Sequence, residues 1–186
     1  MEHIADIVQH EAASADTIAR YRGRVHDEVI ELWETYGLGT FGSGFFRVID
    51  PVAYERGIGD VLGRVTGQRI SIPFMVTGLA DVVTWEPGIG VSAILYRNGS
   101  ASGVGADLDT LLGMLALDGE DYLSEEFDWD MFPKAVAAHG PLAFDESFTY
   151  VPLLSLGGPK QVEHLKPRTT IEAIRTMVEF QGVIEH

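Results

Sequence analysis

The segment VHDEVIELWETYGLGTFGSGFFRVIDP, residues 25–51, decides how the first half of the chain folds. In its opening part, apolar residues recur at the spacing of one helix face, and together with the residues before it this predicts a helix over 14–36. Gly37 is placed to end that helix, because glycine adopts the positive φ angle that such helix ends require. A glycine-rich loop, residues 37–44, should follow.

The end of the same segment predicts a strand and then another helix. Residues 45–49 are aromatic and β-branched, which is typical of a strand. Asp50 can cap the next helix, and Pro51 suits its first position because proline has no N–H to leave unsatisfied there. We expect this helix to run from Pro51 to about Leu62.

The middle of the chain is rich in short apolar runs separated by turn signals. Asn98-Gly99 is a strong hairpin signal, and Pro87-Gly88 is a second turn signal. These spacings predict a meander of antiparallel strands at residues 70–77, 80–86, 91–97 and 102–106.

The remaining residues predict helices around one further extended segment. Asp107 can cap a helix, short helices should follow as far as Gly140, residues 148–158 read as extended, and a helix is expected from Thr170 to Phe180. The order predicts an α+β fold with a central, mostly antiparallel sheet flanked by helices, N-terminal helices and a helical C-terminal lobe. We expect an N-terminal region, 1–106, and a C-terminal region, 107–186, packed as one compact unit.

Composition excludes several classes of function. The 186 residues include no cysteine, which rules out thiol nucleophiles, thiolate metal sites and disulfides. No basic, apolar leader stands at the start of the sequence, and no stretch reaches 18 uninterrupted apolar residues. A cytoplasmic protein is therefore expected.

The net charge of −15 is concentrated in one region. Residues 107–146 hold eleven acids and the single base Lys134, and the acidic segment DGEDYLSEEFDWD, residues 118–130, has seven carboxylates and no cation. Such a field repels nucleic acids and anionic membranes and attracts basic proteins. It could also serve only to keep the protein soluble. The aromatic residues among the carboxylates favour a contact surface, but they could equally be the buried faces of short amphipathic helices.

Motifs that would indicate an enzyme are missing from the sequence. Residues 37–42 fit the letters G-x-G-x-x-G but follow a predicted helix and precede a strand, the reverse of a dinucleotide site. No G-x-S-x-G turn is present, and the six histidines lack the spacings of metal ligands. We therefore expect no cofactor, no metal, no catalytic residues and no enzymatic activity.

The chain resembles the GAD-related immunity proteins of the bacterial type VI secretion system over residues 18–182. The residues that carry this resemblance are Glu31-Leu32-Trp33, Tyr36-Gly37, Gly39, Phe41 and Asp50-Pro51, then His139-Gly140-Pro141-Leu142, Tyr150-Val151-Pro152, Leu156-Gly157-Gly158 and Val162-Glu163-x-Leu165. The resemblance implies a cytosolic antitoxin that binds and neutralises a DNase effector. It implies a basic nuclease as the protein partner, and neither nucleic acid nor membrane.

Two surfaces are candidates for contact with the partner. The first is the acidic segment, represented by Asp118, Glu120, Asp121, Tyr122, Glu125, Glu126, Asp128, Trp129 and Asp130. The second is the glycine loop, represented by Phe41, Gly42, Ser43, Gly44 and Phe45. Two other functions stay open at this point: a regulatory or adaptor module for another cytosolic protein, and a small hydrolase with a site built from distant residues.

Overall fold

A computed structural model describes residue 4, residues 6–62 and residues 70–186. Its strands are β1 (Val8–Glu11), β2 (Leu38–Phe41), β3 (Phe46–Val48), β4 (Ile72–Thr77), β5 (Val82–Glu86), β6 (Gly90–Leu95), β7 (Ser100–Gly105), β8 (Glu146–Tyr150) and β9 (Leu165–Thr169). Its helices are α1 (Ala15–Tyr21), α2 (Asp27–Tyr36), α3 (Pro51–Ile58), α4 (Leu108–Phe127), α5 (Met131–His139) and α6 (Thr170–Gln181).

Strands β1 to β7 form one antiparallel sheet in which every strand pairs with its neighbours in chain order. Strands β8 and β9 form a separate antiparallel pair that leads directly into α6. Helices precede, interrupt and follow the large sheet rather than alternating regularly with its strands. The predicted α+β class with a central antiparallel sheet is confirmed.

The large sheet has an apolar core on each face. Successive side chains of a strand point to opposite faces, so the neighbours Val82 and Val83 belong to different cores. The main core contains Val83 and buried residues of α2, α4 and α5, among them Trp33. The second core contains Val82 and buried residues of α3 and α6, among them Ile174. Burying both faces explains why every residue of β4 and β6 is buried and most are apolar, instead of alternating between apolar and polar.

The predicted helix over residues 14–36 is two helices. Ser14 caps α1 by accepting a hydrogen bond from Thr17 N at 3.0 Å. The chain then turns after Tyr21, with Gly23 at a φ of 76°, before α2 begins at Asp27. The apolar spacing continues through the turn, because Val25 is buried in the same core as the helices beside it. Spacing alone therefore did not reveal the break.

Other helix ends follow the sequence signals. Asp50 caps α3 by accepting from Val52 N at 3.0 Å, with Pro51 as the first helical residue. Gly37 ends α2 with a φ of 68°, as predicted. Helix α3 ends at Ile58, earlier than Leu62.

The glycine-rich loop is shorter than predicted, because residues 38–41 form strand β2 and only 42–45 make the turn. Gly39 lies within β2, where an added Cβ would sit 2.5 Å from the carbonyl oxygen of Val8 in β1. Glycine at this position lets the two strands approach each other, so the nucleotide-like letters belong to the scaffold. Strands β1 and β9 were not predicted, and the extended segment 148–158 is a strand only as far as Tyr150.

A buried carboxylate on the large sheet is held by several donors. Glu86 is 1% exposed, and its oxygens accept hydrogen bonds from the hydroxyls of Ser71 (3.2 Å), Thr84 (3.1 Å) and Ser92 (3.0 Å). His186 Nε2 lies 2.6 Å from Glu86 Oε1. The hydrogen bond with Glu86 raises the pKa of His186. Burial alone would raise the pKa of Glu86, but its hydrogen bonds, led by the one from His186, outweigh burial and lower it.

We predict that this pair stabilises the fold in a limited pH window. The contribution of His186 is complete below its unfolded pKa of 6.5 and is lost as the pH rises through its higher folded pKa. The contribution of Glu86 is complete above its unfolded pKa of 4.5 and is lost as the pH falls through its lower folded pKa. His186→Asn should therefore lower the free energy of unfolding by about 1–3 kcal/mol near pH 5.5. Urea unfolding of both proteins from pH 5 to 9 measures this; a difference that does not shrink towards pH 9 contradicts it.

Candidate partner-binding surface

The acidic segment lies on the second half of helix α4 and on the turn that leads to α5. The helix is started by Asp107, whose carboxylate accepts hydrogen bonds from Thr110 N at 2.8 Å and Thr110 Oγ1 at 2.5 Å. These hydrogen bonds lower the pKa of Asp107, so the cap carries its charge at the positive end of the helix. One face of the first half of α4 is buried in the main core through Leu108, Leu111 and Leu112.

A kink divides α4 at the start of the acidic segment. Gly119 has a φ of 50° and a ψ of −124°, which are not helical values, and glycine adopts them without a steric penalty. The second half of the helix therefore takes its own direction. It is held in place by its aromatic residues rather than by the leucine stripe of the first half.

Tyr122 and Phe127 belong to the core. Tyr122 is 9% exposed and its hydroxyl lies 3.5 Å from the carbonyl oxygen of Val104, while Phe127 is fully buried. Trp129 is half-buried and packs against the same core. Tyr122 is thus mainly a structural anchor of the acidic segment, and only part of the Trp129 side chain is open to a partner.

Most of the predicted carboxylates lie at the surface. Glu120, Asp121, Glu125 and Asp130 are exposed, and Glu126 is half-buried and accepts a hydrogen bond from Ser102 Oγ at 3.2 Å. We call these five carboxylates the acidic surface. Asp130 is paired with Lys134 at 2.9 Å, one helical turn later. The side chain of Asp118 lies outside the described part of the structure.

Asp128 has a structural role that the charge pattern did not reveal. Its carboxylate lies 3.0 Å from Arg97 Nε and 2.6 Å from Lys160 Nζ. Burial alone would raise the pKa of Asp128, but the hydrogen bond from Lys160 and the charge of Arg97 outweigh burial and lower it. Asp128 itself has a φ of 55°, the left-handed conformation that ends α4. The negative charge of Asp128 is therefore paired with Arg97 and Lys160 within the protein.

Arg97 is the centre of this ion-pair network. Its side chain is 3% exposed and also contacts the fully buried carboxylate of Asp81. Burial by itself lowers the pKa of Arg97, but the two carboxylates outweigh it and raise the pKa. Arg97 follows β6, Asp81 precedes β5, and Lys160 lies between β8 and β9. The network thus joins the acidic segment to the large sheet and to the C-terminal strand pair.

We predict that Asp128→Asn destabilises the protein, whereas Asp130→Asn does not. The first change leaves the buried guanidinium of Arg97 with one carboxylate instead of two, which should cost about 1–3 kcal/mol of unfolding free energy at pH 7. The second removes an exposed pair and should change it by less than about 0.5 kcal/mol. Chemical unfolding of the two matched variants measures both values. Equal effects would show that the network is not what holds the segment.

The second candidate surface, the glycine loop, exposes fewer residues than the sequence indicated. Phe41 is 5% exposed and Phe45 is fully buried, with rings that pack in the main core. Their alternation with small residues reflects a tight turn between two core strands, not exposed anchors. The surface part of the turn is Gly42, Ser43 and Gly44, and the amides of Gly42 and Ser43 donate to Asp6 at 2.9 and 2.7 Å.

One exposed apolar side chain beside the acidic surface was missed. Leu117 is 86% exposed and lies two residues before the kink at Gly119. The signal was present in the sequence, since Leu117 falls outside the buried stripe of Leu108, Leu111 and Leu112. A further exposed apolar patch lies near β8 and α6 and contains Val151, Leu156 and Phe180.

Neither a metal site nor a membrane-spanning helix is found in the described residues. No group of three or more His, Asp or Glu side chains there could hold a metal ion. Over the same residues, no helix is both long and apolar enough to cross a membrane.

Comparison with protein families decides the assignment. The model of the GAD-like domain matches residues 1–97, more than half of the chain. The model described as the C-terminal part of the T6SS immunity protein Tdi1 matches residues 114–175. The chain belongs to the GAD-related family of type VI secretion immunity proteins. Proteins of such a family bind a toxin protein and are generally not enzymes. The second match covers the whole acidic segment together with Asp128 and Lys160, whereas Asp81 and Arg97 lie outside it.

A solved structure shares the fold of this immunity protein. The crystal structure of Atu4351 from Agrobacterium tumefaciens aligns with a TM-score of 0.74 over 96% of this chain and 86% of that chain, at 17% sequence identity. At this identity the likeness concerns the fold alone. A search of curated proteins finds no match.

Proposed function

We propose that the protein binds a cognate DNase toxin of the type VI secretion system in the cytoplasm and neutralises it through the acidic surface, without any catalytic step. A nuclease binds phosphates, so the surface that faces its substrate carries basic residues. An acidic protein surface is complementary to that region and competes for it. The partner is therefore proposed to be a basic nuclease.

The observation that carries this proposal is a concentration of free negative charge on a fixed support. Glu120, Asp121 and Glu125 are exposed and form no hydrogen bond or ion pair with other described residues. Their segment is held against the main core by the burial of Tyr122 and Phe127, and its end is held by the ion pairs of Asp128. The charges are therefore presented together, at little cost in ordering on binding.

We predict that reversing three of these charges slows association with the toxin. The variant Glu120→Lys, Asp121→Lys, Glu125→Lys should associate at least about tenfold more slowly at low ionic strength, because the field that steers the encounter is reversed. The difference from the natural protein should shrink as salt is added. Stopped-flow mixing with the protein encoded by the neighbouring gene, together with inhibition of its DNase activity, measures this.

The matched control changes the same amount of charge elsewhere. Glu31, Glu163 and Glu172 are exposed and lie on α2, before β9 and on α6. Their triple Lys variant should associate within about twofold of the natural rate. Equal slowing by both variants would assign the effect to total charge, and no slowing by the first would remove the acidic surface from the interface.

Leu117 supplies a second, apolar prediction for the same interface. An exposed leucine beside carboxylates is suited to contact an apolar spot on the partner, so Leu117→Ala should raise the dissociation rate by about tenfold, or about 1.4 kcal/mol. Ile89→Ala is the control, since Ile89 is 54% exposed in the turn between β5 and β6. Surface plasmon resonance measures both; a larger effect of the Ile89 variant would place the contact elsewhere.

A further inference from the structure

A cavity of about 230 Å³ lies between the edge strand β1 with its neighbour β2 and the segment that joins α5 to β8. Its volume is below the roughly 300–1,000 Å³ of pockets that hold drug-sized ligands. It is separate from the acidic surface. Its lining residues include Val8, Thr40, Arg47, Phe132, Val136 and Leu142.

The cavity has a buried cation in its wall. Arg47 of β3 is 1% exposed, and its guanidinium donates to the carbonyl oxygens of Thr77 (2.7 Å) and Phe144 (3.3 Å) and to Ser147 Oγ (2.6 Å). All three acceptors are neutral. Among the described residues no carboxylate lies within ion-pair distance of Arg47, and its Nε has no hydrogen-bond partner. The positive charge is therefore held in place without being neutralised.

An unpaired buried charge is costly and attracts an anion. Burial lowers the pKa of Arg47 to about 10, so the group still carries its charge at neutral pH. Electrostatic interactions with Tyr54, Asp145 and Glu146 oppose this shift, but none of these groups forms an ion pair with Arg47. Away from bulk water a counterion gains more from such a charge than it would at an exposed lysine. The cavity gives an anion a way to approach.

The rest of the wall selects the kind of anion. Val8, Phe132, Val136 and Leu142 make much of it apolar, Thr40 adds a hydroxyl near Arg47, and Gln9, His10 and Ser43 complete its polar part. One guanidinium balances one negative charge, and the acidic residues at 145 and 146 disfavour a dianion such as phosphate. A single carboxylate attached to a compact apolar group meets both conditions.

We propose that this cavity binds a small apolar monocarboxylate, with its anionic end towards Arg47 and its apolar part against the surrounding wall. This site goes beyond the proposed toxin binding and does not depend on it. The ligand is identified by its chemistry: a short aliphatic or aromatic carboxylic acid, in its ionised form.

The pairing of β2 with β3 indicates which substitution would place a carboxylate of the protein itself in the site. Thr40 of β2 lies directly opposite Arg47 of β3, and directly opposed side chains have Cβ atoms about 4.5–5.5 Å apart. Thr40→Glu therefore places a carboxylate beside the guanidinium. Thr40→Gln has nearly the same shape without the charge and is the matched control.

The experiment titrates the full chain with benzoate and, separately, with its neutral isostere benzamide. Binding is followed by calorimetry and by the shift in melting temperature. Benzoate should bind and raise the melting temperature in a concentration-dependent way, and benzamide and inorganic phosphate should bind at least about tenfold more weakly. Thr40→Glu should weaken benzoate binding by at least about tenfold and melt at a higher temperature without ligand, while Thr40→Gln keeps most of the binding. Arg47→Met should abolish benzoate binding.

Several results would overturn the proposal. Equal binding of benzoate and benzamide would show that only the apolar wall is recognised, and stronger binding of phosphate would exclude a monocarboxylate site. Undiminished benzoate binding by Thr40→Glu would place the ligand away from Arg47. This variant keeps the proposal testable even if Arg47→Met does not fold.

Discussion

The contact of Arg97 with Asp81 and Asp128 determines how the acidic segment is presented. Each of these groups would be costly to bury alone, and a single buried pair often contributes little net stability. Their value here is geometric. Asp81 fixes the guanidinium to the sheet, and the guanidinium fixes Asp128, the residue at which α4 ends. Lys160 extends the same constraint to the strand pair β8–β9. The acidic segment is thus attached at its end by charge and along its length by buried aromatic rings.

The protein treats its two buried arginines differently. Arg97 is neutralised by carboxylates of its own chain, whereas Arg47 is surrounded by carbonyl and hydroxyl oxygens that bear no charge. Both guanidinium groups donate hydrogen bonds to nearby oxygens, but only that of Arg97 has its charge balanced by carboxylates. In a chain with a net charge of −15, a cation left without a carboxylate is unexpected on electrostatic grounds alone. The cavity beside Arg47 is therefore the place where a bound anion would supply the missing negative charge.

Local signals in the sequence were sufficient for most of the secondary structure. The caps at Asp50 and Asp107 and the Asn98-Gly99 turn act over a few residues, so the α+β class and the antiparallel meander could be predicted from them. Short edge strands such as β1 could not, because an exposed strand has no apolar pattern and exists through pairing with β2. The division between regions 1–106 and 107–186 stays a prediction.

The candidate surface was less predictable, because exposure depends on partners distant in sequence. Asp128 looked like its acidic neighbours, and nothing near it in the chain indicated the salt bridge to Arg97, 31 residues earlier. Tyr122 could have been an exposed anchor or part of a buried helix face, and its ring lies in the core. Leu117 could have been recognised, since it breaks the spacing of the buried leucines.

The exposed carboxylates and the exposed leucine that precedes them in the chain suit the kinetic demands on the proposed antitoxin. Neutralising an injected nuclease requires rapid capture, and a clustered surface charge acts mainly on the rate of encounter. Such solvated charges contribute little to retention, because salt and water screen them once the partners are in contact. Retention depends on dehydrated apolar contact, which Leu117 is placed to make at the edge of the same surface. In this proposal capture and retention rest on different residues of helix α4, and the buried network around Arg97 holds the end of that helix against the sheet.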